Sequence, residues 1–200
     1  MKLFYIISSV FISMSCSNST QTPDSVATEA NGQTNASIVA QNAGDNKWND
    51  NFRAFVQAVT KGNSKAVKSF IDFPIKNEGN EIWYLADSKL VMDIDPDKIK
   101  PFTEADFDKY FSSIFTMDLR KTLERLELDQ FFKSNTATSE EIEVVKGTKS
   151  RLEASFEPTT KKVMLVVLSK GKEFSEFAVQ YEFDVTPEQK VKFRQVRVAG

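Results

Sequence analysis

The stretch "KKVMLVVLSKGKEFSEFAVQYEFDV" (161–185) decides the fold. Its first half, "KVMLVVL", is apolar at successive positions, so neither face of an extended chain there would be polar. Such a run reads as a central strand. Its second half places Phe177, Val179, Tyr181 and Phe183 at every other position, the period of a strand with one buried face. Lys170-Gly171 between the halves reads as a hairpin turn. Working outward, Ile142 and Val144 alternate, as do Leu152, Ala154 and Phe156. "KVKFRQVRV" (190–198) is a last strand, reached through a loop that begins at Thr186-Pro187-Glu188.

The period changes upstream. In "KWNDNFRAFVQAVTKGN" (47–63) the residues Trp48, Phe52, Phe55, Val56 and Val59 fall at i, i+4, i+7, i+8 and i+11, one stripe of a helix. Gly62 is a stop, and Asn63 can cap a second, shorter helix that turns Ala66, Val67, Phe70 and Ile71 inward. Pro74 drives Phe73 toward extended geometry and ends that helix. "EIWYLA" (81–86) and "KLVMDI" (89–94) read as strands around a turn at Asp87-Ser88. Thr103 with Asp106 forms an acidic variant of a capping box. It opens a third helix carrying Phe107, Phe111, Ile114 and Phe115, and after a break at Thr116 the spacing resumes with Leu119, Leu123 and Leu126. Helices first and a meander of strands after them predict an α+β fold with an antiparallel sheet.

"FRAFVQAVTKGNSKAVKSFIDFPI" (52–75) and "FTEADFDKYFSSIFT" (102–116) resemble segments of the nuclear transport factor 2-like superfamily. There a helix, a short helix and a Phe-Pro turn precede a strand. The resemblance covers residues 47–200 and implies N-terminal helices packed on a bent antiparallel sheet, together making a cone. The segment from Asn77 to Pro101 is longer than a simple member needs. Members of that superfamily bind small apolar ligands, catalyse isomerisation or cyclisation, or serve only to bind proteins. Those that catalyse carry pocket acids with a Tyr or His partner.

The chain has no histidine. Histidine-ligated metal sites and Ser-His-Asp chemistry are therefore excluded, and the commonest general base is missing. A Tyr–Asp pair is what remains, with Tyr84, Asp87, Tyr110 and Tyr181 as its candidates. Tyr84, Tyr110 and Tyr181 are also the candidate pocket residues. A single Tyr on a strand more often packs in the core with its hydroxyl satisfied at the rim. The expectation is thus no catalytic residues, no cofactor and no metal.

"DIDPDKIKPFTE" (93–104) sets Asp93, Asp95, Asp97 and Glu104 at positions 1, 3, 5 and 12 of a calcium loop. Lys98 stands where that loop needs glycine, Lys100 where an apolar residue is usual, and the preceding segment does not read as helix. The expectation is an acidic loop whose Glu104 favours the N-terminus of the third helix. Fifteen of the 17 phenylalanines follow residue 46. They read as a Phe-rich core, with an apolar pocket inside the cone as the functional alternative. Lys146, Lys149, Arg151, Lys161 and Lys162 gather at hairpin ends as a solvated basic face.

The lone cysteine, Cys16, lies in "ISMSCSNSTQTPDS" (12–25). Met1 and Lys2 precede an apolar run of about ten residues, Leu3 to Ile12, the size of a secretory signal core and short of a membrane span. Ser15-Cys16 resembles the lipobox of bacterial lipoproteins, where the cysteine is lipidated and becomes the first mature residue. Ser13 departs from that pattern, since an aliphatic residue is usual there. Ser13-Met14-Ser15 also has the small-x-small form of ordinary secretory cleavage. The organisation expected is a signal peptide at 1–15, a lipidated tether at 16–46 and the α+β domain at 47–200. Residues 17–46 contain no Lys, Arg or aromatic residue. They offer little apolar surface to offset the entropy of ordering.

Setting aside Lys2, Asp24, Glu29 and Asp45 leaves 25 basic and 25 acidic residues. A neutral domain has no electrostatic attraction to phosphate backbones, so nucleic acid is not an expected partner. The expected location is the bacterial cell envelope, with the protein held to a membrane by its lipid. The expected role is non-catalytic binding of a protein or envelope component. The alternatives are a carrier for a small apolar ligand and, less favoured, a histidine-free isomerase or cyclase.

Overall fold

Seven helices precede a sheet of six antiparallel strands among the described residues. The structure is a computed structural model that describes residues 47–93, 95, 98–172 and 176–200. The expected signal, Cys16 and the tether at 17–46 lie outside the described residues, as does Asp97. The helices are α1 (Lys47–Thr60), α2 (Ser64–Lys68), α3 (Ile82–Ala86), α4 (Ser88–Asp93), α5 (Glu104–Ile114), α6 (Met117–Leu123) and α7 (Leu128–Ser134). The strands are β1 (Thr136–Thr138), β2 (Ile142–Val145), β3 (Thr148–Glu157), β4 (Lys162–Gly171), β5 (Phe177–Val185) and β6 (Val191–Ala199).

The sheet is a meander in the order β1-β3-β4-β5-β6, and β2 lies beyond β1 along the same edge of β3. Two irregularities, between Glu143 and Val145 and between Glu182 and Phe183, shift the register. A bulge of this kind bends a strand and increases its twist. The result is the α+β class, with helices on one face of a bent, open antiparallel sheet.

The helical stripe of α1 is buried as its spacing predicts. Phe52, Phe55 and Val59 are fully inaccessible, and Trp48 and Val56 nearly so. Phe55 meets Phe183 of β5 at 4.7 Å between ring centroids, and Trp48 stacks on Phe156 of β3 at 4.4 Å. Gly62 ends α1 with φ +64°, a conformation a Cβ disfavours. Asn63 caps α2 by accepting the Ala66 amide at 3.0 Å. The capping box at Thr103 and Asp106 is complete, and Thr116 starts α6 as an N-cap.

Three expectations are corrected. Residues 81–86 and 89–94 carry the pattern expected of strands, yet α3 and α4 occupy them up to Asp93. Ile82, Trp83 and Ala86 are buried together, which a strand's alternation cannot achieve for neighbours. Trp83 wedges against Phe102 and Tyr110, and its Nε1 donates to the Lys100 carbonyl at 2.8 Å. Tertiary packing therefore outweighs the strand propensity of an Ile-Trp-Tyr run. The strand that the resemblance implies after the Phe-Pro turn is not formed directly there: past Pro74 the chain makes one isolated bridge, Ile75 with Phe102. Lys170-Gly171 is not the hairpin turn either. Both residues still pair, with Lys149 and Thr148, and the connection follows them.

Candidate functional site

The cone is filled. Phe52, Phe55, Phe102, Phe107, Phe115, Phe131, Phe183 and Tyr181 are each under 2% exposed and pack ring against ring. Tyr181 donates its hydroxyl to the Ile114 carbonyl at 2.7 Å. Burial pushes its phenol far above the ordinary value; a hydrogen bond with Thr116 opposes this, and the charge of Asp118 adds to it. This tyrosine is a core residue and opens onto no pocket. Beside it Ser150 donates to Asp118 at 2.8 Å and shares a hydrogen bond with Ser169 at 2.9 Å, pinning α6 to the inner face of the sheet.

The other candidates lie on the helical side. Tyr110, half-buried on α5, donates to Asp87 at 3.3 Å and accepts from Lys109 at 2.7 Å. Asp87 also accepts the Leu90 amide at 3.3 Å and so starts α4. The Tyr–Asp pair thus exists in space, and its geometry serves to fasten the α3–α4 excursion to α5. Tyr84 is exposed on the α3 surface. The three tyrosines do not converge on one pocket.

The two acids of the loop whose side chains are described are each paired with a lysine. Glu104 is engaged by Lys68 of α2 at 3.1 Å, and Asp95 faces Lys98 at 3.7 Å. Among the described residues no group of acids is placed to hold a metal. The basic residues divide between the two ends of β3 and β4. Lys146, Lys149, Lys170 and Lys172 line an open hollow at one end together with Glu143, and Glu141 bridges Lys149 and Lys170. Lys161 and Lys162 stand at the other end, with Lys162 paired to Glu182.

What sequence reasoning missed is a cleft along β6. The chain from Ser69 to Glu81 runs beside this edge strand and closes it. Val191 donates its amide to Asn51 Oδ1 at 2.6 Å, and Phe193 donates to the Phe70 carbonyl at 2.7 Å. Beyond the bulge, Val196 donates to Asn80 Oδ1 at 3.2 Å and Val198 to the Glu81 carboxylate. Glu81 returns its own amide to the Val196 carbonyl at 2.8 Å.

Between these two sets of bonds the strap bows outward and leaves a cleft of about 290 Å³. Pro74, Ile75 and Phe193 form its apolar lining, and charges of both signs ring it: Asp72, Glu78 and Asp184 against Lys76, Lys192 and Arg194. Lys192 is tied to Asp72 at 2.6 Å and to the Ser69 carbonyl at 3.2 Å. A second hollow of about 400 Å³ continues past Asn77, Gly79 and Arg197. Asn77 anchors its wall by donating to the carbonyls of Ile99 and Lys100, while its Oδ1 is buried without a partner. Such a cleft can hold a polar segment by side-chain contacts. It contains no nucleophile–base pair. The only sequence signal for it was the surplus length from Asn77 onward.

No family model, curated protein or solved structure matches the chain.

Proposed function

We propose that this chain is an exported lipoprotein, anchored through Cys16, whose α+β domain is a non-catalytic binding module for a protein or envelope component. The nuclear transport factor 2-like resemblance belongs to the same proposal. One observation carries the non-catalytic reading: the aromatic side chains fill the interior and spend its one phenol on a backbone carbonyl, so the available chemistry is on the outside. An apolar ligand would need space that these rings occupy.

The β6 cleft is the surface on which the partner is placed. Its mixed charges suit a polar partner recognised by register and complementarity. Two measurements test the reading. Cys16→Ser should move the protein from the membrane to the soluble fraction; equal fractionation of the two forms would refute the anchor. A photo-reactive residue at Glu78 should give one discrete adduct in intact envelopes, which Lys76→Glu weakens. Labelling no different from that at Lys121, on the exposed side of α6, would remove the cleft from the proposal.

A further inference from the structure

We propose that the outer face of the sheet is a self-association surface, and that its occupant is a second copy of this chain. The inference is independent of what the β6 cleft binds.

The argument begins with β4. Its apolar run predicts burial of both faces, because an outward face in water would carry polar residues. Val163, Leu165 and Val167 point to the core and are buried. Met164, Val166 and Leu168 alternate with them on the opposite face, where they stay only half-buried. That they share this face is fixed by neighbours: Gln180 reaches Met164 Sδ at 3.7 Å, and Lys162 reaches Glu182 across the same side. The helices that contact the middle of the sheet do so from the core side, through Ser150, Ser169 and Tyr181. The apolar stripe on β4 therefore has no cover among the described residues.

Beside the stripe the Arg151–Glu153 pair is self-complementary. On the outward side β3 carries Lys149 and Arg151 toward its start, and Glu153 and Glu157 toward its end. A two-fold axis crossing the strands lays β3 antiparallel on β3 of the other copy. Arg151 of each copy then faces Glu153 of the other, and Leu168 faces Val166. Isologous contacts require this kind of pairing of a surface with itself. Arg151 and Glu153 already meet at 3.2 Å within one copy, with side chains 40% and 47% exposed, so both can add a partner without leaving a charge unpaired.

Glu182 fits the same scheme. It lies on the uncovered face yet is only 6% exposed, held by Lys162 and by Gln195 at 2.9 Å. A carboxylate already satisfied can be covered without a large desolvation loss. Association by strand addition at β6 is closed off, because Asn51, Phe70, Asn80 and Glu81 occupy its outward amides.

The test is sedimentation velocity on the full chain, extracted in mild detergent and measured over a concentration series. A reversible step from one copy to two is expected. Val166→Lys should weaken it at least about tenfold, since it buries a charge at the centre of the contact. Arg151→Glu should weaken it about tenfold by setting acids against acids, and Arg151→Glu with Glu153→Arg should restore it. All these positions face outward, so melting should move little. A single-copy mass at every concentration, or a double reversal no better than the single, overturns the proposal. So does a dimer that Val166→Lys leaves intact.

Discussion

The amide of Val196 donates to Oδ1 of Asn80 at 3.2 Å, where an adjacent strand would have offered a carbonyl. This side chain, together with Asn51, the Phe70 carbonyl and Glu81, ends the sheet. Asn80→Ala should expose this amide at a strand edge and cost about 1–2 kcal/mol, the size of a lost hydrogen bond with its desolvated partner. Urea unfolding would read the stability, and light scattering the tendency to pair edges. The variant should scatter more at equal concentration. An unchanged urea midpoint would mean that the Asn80 bond contributes nothing.

Tyr181 gives a prediction about alkaline pH. Its folded-state phenol is raised above the ordinary value of 10.0 by burial. The unfolded state therefore loses this proton first as pH rises. Its contribution is fully present below about pH 10 and falls away above it, as the unfolded chain ionises. In a spectrophotometric titration one tyrosinate signal should appear only with unfolding, and Tyr181→Phe should abolish that delayed step. The same variant should lose about 1 kcal/mol at neutral pH, because the Ile114 carbonyl loses its donor.

Gly62→Ala should destabilise the domain by about 1 kcal/mol or more. The position has φ +64°, and an added Cβ would lie 2.6 Å from Nη2 of Arg120. The guanidinium can swing aside, so Arg120→Ala should recover only part of the loss; the backbone strain remains. Thermal melting of the two single variants and the double variant would separate the terms. Full recovery in the double variant would make the clash the whole cause.

Calcium should produce no specific stabilisation. A working site at a hundredfold excess over its Kd would add about 2.7 kcal/mol. In a domain of this size that raises the midpoint by several degrees, since 1 kcal/mol moves it by about 2–4 °C. Glu104 is instead held by Lys68, and Lys98 stands at the turn of the loop. Melting in millimolar calcium should match melting in magnesium at equal ionic strength. A calcium-only rise that Asp93→Asn removes would establish a site.

The sequence by itself determined what depends on neighbours in the chain. The stripe Trp48-Phe52-Phe55-Val56-Val59 had to be a helix with one buried side. Asn63 and Thr103-Asp106 had to cap the helices they open, and the alternation at Leu152-Ala154-Phe156 and at 177–183, with the apolar run at 162–168, had to form strands. Tertiary structure alone decided the 81–93 segment. There the burial of Trp83 between Phe102 and Tyr110 outweighs the strand preference of its neighbours. It alone decided the candidate cleft as well. That cleft exists because a bulge near Phe183 shifts the register of β6 while Phe70, Asn80 and Glu81, more than a hundred residues away in the chain, close its edge. Local pattern records the period of one element. A site made where two distant segments meet is recorded only in the contacts between them, whose energy no single segment carries.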